Sequence, residues 1–410
     1  MISYNRFYEL FHELFCYPNY LNSYGFNPSF STSSHDISAL TFGGRFHYNH
    51  DNNGQVFWWS EEPINQKDFE DLHYYSINST TIPFSVEMHG IGTNSLVPRI
   101  RDIACDVDIS IIANSEKSQL KKNLFKKYQY FDWYFFFHGY AALDWFRDFK
   151  YLNQSVIKID KLFICLNHLL TDNRSYRLNL LNELKKNELD NRGYVSAPSL
   201  SKDIIKQEVF NPYTRLSDKS KRDIFNNLYR TAQPMILDKY NDLQVASADI
   251  ADYIYSLSSL WNIVTETVFY DNKLHLTEKI FKPIVLKRPF MLVGAPGNLK
   301  YLKEYGFQTF DKWINEDYDN ELDPDMRIKK IVNELSRIKN NNLEEMYYEM
   351  KPVLEFNHNH FFGKFKELIV DETIDNYKKC IFMYNRDLSA RFRIHESLDY
   401  NQIKNILLRN

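Results

Sequence analysis

Glycine is scarce in this chain, 12 in 410 residues, and it forms none of the patterns that cradle a nucleotide by backbone alone. There is no Gly-x-Gly-x-x-Gly, no Gly-Lys-Ser/Thr phosphate loop and no Gly-x-Ser-x-Gly turn. Their absence weighs against a dinucleotide fingerprint, P-loop hydrolysis and a typical serine esterase. Cysteine is rarer still. Cys16, Cys105, Cys165 and Cys380 stand far apart without a Cys-x-x-Cys pair, so neither a zinc site nor a disulfide framework is indicated. Net charge is nearly absent: a formal −3 supplies no overall pull toward nucleic acid or acidic lipid. A long apolar run is missing too. The most apolar window, "YFDWYFFFHGYAALDWF", carries Asp132, His138, Gly139 and Asp144, which is wrong for a membrane span. The opening "MISYNRFYELFHELFCYPNY" lacks the basic-then-apolar layout of a signal peptide. The expectation is a cytoplasmic protein (host cytoplasm if viral), in which the sequon Asn78-Ser79-Thr80 is a chance match.

What is plentiful is aromatic, with 29 Tyr and 31 Phe, and a hydrophobic share of 44% beside 25% charged residues describes a globular chain. Abundant Asn, Lys, Ile, Tyr and Phe fit an AT-rich genome such as a bacterium's or a virus's. The length suits two domains, with room for a helical tail. "GQVFWWS" (54–60), "DISIIANS" (108–115) and "DWYFFFHG" read as strands. "SEKSQLKKNLFKKY" (115–128) reads as a helix capped by Ser115, and "YAALDWFRDFKYL" as another. The pattern restarts near residue 155: strand "KLFICLN" (161–167), helix "SYRLNLLNELKKNEL" with apolar positions 178, 180, 181 and 184, and an edge segment "NRGYVSAPS". Strand "SLWNIVTETVFYD" (259–271), a Thr-Glu-Lys helix interrupted at Lys282-Pro283, strand "PFMLVGAP" and helix "NLKYLKEYG" follow. Alternation of this kind predicts parallel sheets covered on both faces. Beyond residue 320 the spacing is helical, broken at Pro352.

In an open α/β sheet, ligands sit at the carboxyl ends of the strands. Asn167, His168, Arg174 and Arg177 follow the first strand of the second half, and Thr277, Glu278, Lys279 and Lys282 follow a later one. A helix start offers free N–H groups to phosphate, Lys279 adds a mobile cation, and an Arg grips phosphate oxygens in two places. Glu278 would repel phosphate but suits ribose hydroxyls.

This ordered set carries a resemblance. "KLFICLNHLLTDNRSYRLNLLNELKKNELDNRGYVS" followed by "TETVFYDNKLHLTEKIFKPIVLKRPFMLVGAP" resembles the donor-binding domain of the alpha-1,3-fucosyltransferase family of GT-B glycosyltransferases, over roughly residues 160–310. Glycosyltransferase-like proteins of phages and giant viruses are nearer still. The resemblance implies an α/β, GT-B-like fold: two Rossmann-like parallel-sheet domains facing a cleft, with a helical C-terminal tail. Residues 1–155 would form the acceptor-side domain, 156–320 the nucleotide-sugar donor-binding domain, and 321–410 the tail packing on them. It implies that Arg177 and Lys279 bind the donor diphosphate and that Glu278 contacts the ribose. The family's Phe-Glu-Asn appears here as "ETVFYDN", with Glu266 two residues earlier on the same strand face, so Glu266 stays in the catalytic set. "FKPIVLKRPF" replaces the family's usual stretch, which leaves nucleobase and sugar open, a GDP-fucose-like donor being favoured.

Inverting transfer to a glycan or other hydroxyl acceptor needs a carboxylate base. In the family it follows a buried aromatic strand of the first domain, where "QVFWWSEEPI" offers Glu61 and Glu62, with Glu62 favoured by position. Glu87, His89 and His138 compete. No metal cofactor is expected, because the Asp-x-Asp triplets at 106–108, 317–319 and 323–325 precede a strand or lie in polar loops. Three alternatives remain open: a retaining exostosin-like transferase, a non-catalytic carbohydrate- or nucleotide-binding protein, and a transferase acting on nucleic acid through "KKNLFKK" (121–127).

Overall fold

The structure, a computed structural model, describes residues 45–50, 53–60, 108–128, 130–151, 158–237, 253–386, 401 and 404. The chain divides into two compact units, Met1–Asp144 with Lys366–Asn410, and Trp145–Phe365.

In the first unit, strands β1 (Arg45–His50), β2 (Asn53–Ser60), β3 (Asp108–Asn114) and β4 (Phe131–Tyr134) form one sheet in that spatial order. β2, β3 and β4 run parallel, but β1 pairs antiparallel with β2. Only two positions separate β1 from β2, too few for the crossover that a parallel pair requires. One Rossmann-like sheet is therefore seen among the described residues, not two.

Helix α1 (Gln119–Tyr128) is capped by Ser118, whose hydroxyl accepts the Lys121 N–H at 3.0 Å, rather than by Ser115. The aromatic run expected as one strand is split: β4 ends at Tyr134 and helix α2 (Phe137–Trp145) begins three residues later. Lys121 turns inward and pairs with Asp132 at 2.9 Å, so the "KKNLFKK" strip has one surface cation fewer than its sequence suggests. The last long helix of the chain packs on β4: Trp133 donates to the Thr373 carbonyl at 3.3 Å, and Tyr140 to that of Ile369 at 3.0 Å. His138 is buried beside Phe137, in the core of this unit.

The second unit is built on a fully parallel sheet. β5 (Lys161–Leu166) leads to helix α3 (Tyr176–Lys186) and edge strand β6 (Gly193–Ser196). Gly193 is required by closeness: a Cβ there would stand 2.3 Å from the Phe163 ring. Helices α4 (Lys202–Phe210) and α5 (Asp218–Asn227) follow, each opened by a serine cap, Ser201 and Ser217. Helix α6 (Tyr253–Leu257) then feeds β7 (Ser259–Thr265), buried at every position. Helix α7 (Phe281–Val285), strand β8 (Phe290–Val293) and helix α8 (Asn298–Glu304) complete the sheet side. Pro283 lies in the first α-helical turn of α7 without interrupting it, where its missing N–H is harmless. Gly297, at φ 82°, supplies the left-handed residue that starts α8.

The strand order is β6-β5-β7-β8, all parallel. The apolar runs "LFIC" and "FMLV" suit strands covered on both faces. Helix α9 (Pro324–Ile338), capped by Asp323, buries Ile328, Ile331, Val332 and Leu335. Helix α10 (Leu343–His360) runs straight through Pro352, which the sequence marks as a break. Pro352 is exposed, while Met346, Met350 and Leu354 anchor the helix on its buried side, so packing offsets the lost hydrogen bond. Helix α11 (Lys366–Arg386), the long C-terminal helix, belongs to the first unit. Among the described residues no helix is long and apolar enough to cross a membrane.

Candidate functional site

From β5 the chain steps to β6 on one side, and later places β7 and β8 on the other. The switch point, where ligands enter parallel α/β sheets, therefore lies between the carboxyl ends of β5 and β7. Of the polar residues expected from the sequence, Arg177, Glu266, Thr277, Glu278 and Lys279 come together there.

Glu266, the first residue past β7, is fully buried, and its N–H donates to the Val293 carbonyl at 3.0 Å. Its carboxylate accepts the Thr277 N–H at 3.3 Å and the Thr277 hydroxyl. Thr277 caps a 3-10 turn, Glu278–Ile280, by accepting the Lys279 N–H at 3.4 Å. The Lys279 ammonium donates to the same hydroxyl at 3.2 Å, to Thr267 Oγ1 at 3.3 Å, and lies 3.4 Å from Glu278 Oε1. Threonine is thus needed at 277 as a relay, taking hydrogen bonds from lysine and passing one to a carboxylate. Burial lifts the Glu266 carboxyl above its ordinary range, against the pull of Lys279 and the Thr277 hydroxyl. Thr277→Val, which keeps shape and removes the relay, is expected to cost about 1–3 kcal/mol in urea denaturation. An unchanged unfolding midpoint would show that the hydroxyl carries no such load.

Arg177 approaches the same stretch from α3. Its Nη2 donates to the Thr265 carbonyl at 3.0 Å and reaches that of Glu266 at 3.5 Å; Nη1 donates to the Leu169 carbonyl at 2.9 Å. Thr265 and Thr267 are two residues apart, roughly 7 Å of extended chain, so the two cations converge on one short segment. They do so differently. Arg177 is 3% exposed, with Nη1 and Nη2 on backbone carbonyls and Nε toward the Tyr176 hydroxyl at 3.5 Å, whereas the Lys279 side chain keeps 20% of its surface open.

Asn167 is buried, donates to Cys165 Sγ at 3.2 Å, and leaves Oδ1 with no partner. His168 is exposed, Arg174 half-buried, Glu278 and Lys282 buried. The loop carrying Arg174 turns through Asp172 at φ 56°, held by its N–H to the buried Glu208 carboxylate at 3.3 Å. Glu61, Glu62, Glu87 and His89 lie outside the described residues.

Three supports were not read from the sequence. Tyr176 donates to the Glu266 carbonyl at 2.6 Å and stacks on Phe269 at 4.0 Å. The Arg327 guanidinium lies 4.3 Å over the other partner in that stack, Phe269, and donates to the carbonyls of Phe269 at 3.1 Å and Gly294 at 2.8 Å. Burial lowers its pKa to about 10. The only signal in sequence is an arginine beside the apolar stripe of α9. The third is Thr267, which receives the Lys279 ammonium.

Two Asp-x-Asp triplets have structural tasks. Asp319 accepts the first N–H groups of α8, from Leu299 at 2.9 Å and Lys300 at 3.0 Å, and Asp325 accepts from Asn179 at 2.9 Å and Ser220 at 2.8 Å. An open hollow of about 800 Å³ is lined by Lys300, Lys303, Trp313, Glu316, Glu334 and Arg337, none of them in the cluster. Two of its cations are already paired, Lys303 with Glu316 at 2.9 Å and Arg337 with Glu334 at 2.7 Å.

No protein-family model, curated protein or solved structure matches this chain.

Proposed function

We propose that the second unit binds a nucleotide-sugar through its diphosphate and that the protein is a glycosyltransferase of the alpha-1,3-fucosyltransferase kind, inverting, with a GDP-fucose-like donor favoured. The observation that carries this reading is the Lys279 ammonium, oriented by Thr267, Thr277 and Glu278 and part-open at the carboxyl end of β7. A cation fixed in this way can neutralise charge that develops on a leaving diphosphate without reorganising during the reaction. Arg174, half-buried on the loop that follows β5, is a further candidate cation for the diphosphate. Arg177 acts from behind, fixing the carbonyls that shape the segment.

The test is a thermal-shift screen against GDP-, UDP-, dTDP- and CMP-sugars, since a ligand of the native state raises its melting temperature. One nucleotide class is expected to raise it, and Lys279→Ala to abolish that rise. No rise with any of the four overturns the reading.

One observation favours a second reading, a nucleotide- or carbohydrate-binding protein without turnover: Arg177 is buried and its donors are taken up by carbonyls. Slow donor hydrolysis without acceptor supports the transferase; donor binding with no turnover on any acceptor supports the binding protein.

A further inference from the structure

Away from the Lys279 cluster, the helical pair α4–α5 carries an aromatic row on its outer face. Phe210, at the end of α4, is 69% exposed and meets Phe225 of α5 edge-on, ring centroids 5.8 Å apart. Phe225 in turn stacks on Tyr229, at 4.7 Å with 16° between planes. Lys202 and Lys206, one turn apart on α4, lie over the Tyr229 ring at 5.9 and 5.6 Å. Tyr213, 90% exposed, stands three positions beyond Phe210. Rings of this size are normally buried; here Phe210 and Tyr213 are open to water and Phe225 and Tyr229 half-buried, and such a row marks a binding surface.

Charge narrows the occupant. Residues 202–231 hold seven Lys and Arg against four Asp and Glu, in a chain whose formal net charge is −3. Of the acids Glu208 is buried away from the face and Asp223 is engaged by Lys186 at 3.3 Å; of the bases Arg215 is paired with Asp271 at 2.7 Å and Lys221 with Asp218 at 3.8 Å. Among the described residues neither Lys202 nor Lys206 has a carboxylate within ion-pair distance. Both ammonium groups face the Tyr229 ring, and Lys206 also meets the Tyr229 hydroxyl and the charge of the exposed Asp203, so one phenol and one solvated carboxylate are what an anion would have to displace.

A ligand that matches both features needs flat rings and regularly spaced negative charge. We infer that the α4–α5 face binds single-stranded nucleic acid, with bases against Phe210 and the Phe225–Tyr229 stack and phosphates against Lys202 and Lys206. Stacking is tolerant of sequence because every base has a π-face, while the lysines follow the backbone. A duplex is disfavoured, since its bases already stack on one another. A neutral glycan would use the rings and leave the lysines idle. The inference does not depend on the transferase reading.

The experiment is fluorescence anisotropy of the full chain with a labelled oligothymidylate of roughly 12 nucleotides across a salt series. Affinity is expected to fall with salt. Lys202→Gln combined with Lys206→Gln should reduce the slope of log K against log salt by roughly 1.4, about 0.7 per lost phosphate contact. The double Lys→Arg variant should restore it. Phe210→Ala should weaken binding roughly tenfold and leave the slope unchanged, the signature of a lost base stack. All these side chains are exposed, so melting temperatures should match the wild type. Three results overturn the inference: no binding at low salt, inorganic polyphosphate competing as well as the oligonucleotide with no effect of Phe210→Ala, or a duplex or neutral glycan bound more tightly.

Discussion

Lys279→Ala is expected to lower sugar transfer by roughly two to three orders of magnitude, the usual cost of losing one preorganised charge-stabilising group. The fold should survive it. The Lys279 side chain is part-exposed, and its deletion leaves Thr277 with its donation to Glu266 and its own capping bond intact. The loss should fall on kcat as well as on kcat/KM if the ammonium acts on charge that grows as the diphosphate leaves. A rise in KM alone would make Lys279 a ground-state ligand. Lys279→Arg offers a finer test. Arginine retains the charge, but its fork does not fit the three oxygens of Thr267, Thr277 and Glu278 that hold the ammonium. Partial activity is expected. Normal turnover in Lys279→Ala removes the lysine from the site.

The route from sequence to this cluster was open in some places and closed in others. Apolar runs bounded by polar residues locate β2 and β3, and they locate β5, β7 and β8 because a covered parallel strand is apolar on both faces. Helix α3 is legible because Leu178, Leu180, Leu181 and Leu184 are all buried, as its spacing requires. Thr277 before Glu-Lys reads as a cap, and it is one. The end of β7 is not legible: the apolar and β-branched run continues to Phe269, yet the strand stops at Thr265. What ends it is tertiary, a carboxylate that turns to a threonine eleven residues later and a tyrosine from α3 that takes the Glu266 carbonyl. Helices α4 and α5 went unread although Ser201 and Ser217, each followed by residues with an acidic first turn, signal both starts. Arg327 was out of reach, because a charged residue on an amphipathic helix is solvated unless the fold buries it. The antiparallel β1 edge is carried only by the short connection between β1 and β2.

Glu266 should make the stability of the second unit depend on pH in a direction opposite to that of an ordinary ion-paired carboxylate. Burial raises its native pKa above the unfolded value of 4.5, so in the interval between the two the folded state holds more protons than the unfolded one. Stability then falls as pH rises through that interval, and it levels off above the native pKa. Glu266→Gln cannot ionise and loses this component. Its amide oxygen can still accept from Thr277, as the carboxylate does. The stability of the wild type minus that of the variant should therefore be largest at the acidic end and decline as pH rises, in urea titrations begun below the unfolded value and carried upward through it. Glu266→Ala is different in kind. It leaves the Thr277 N–H without its acceptor and the Lys279 cation without its deepest counter-charge, and should cost about 3–5 kcal/mol. A wild type whose advantage over Glu266→Gln grows with pH would mean that Lys279 and Thr277 outweigh burial and that the carboxylate is held ionised. Lys279→Ala then decides between the two. Without the lysine, burial is opposed only by the hydrogen bonds from Thr277, and the decline should extend to higher pH.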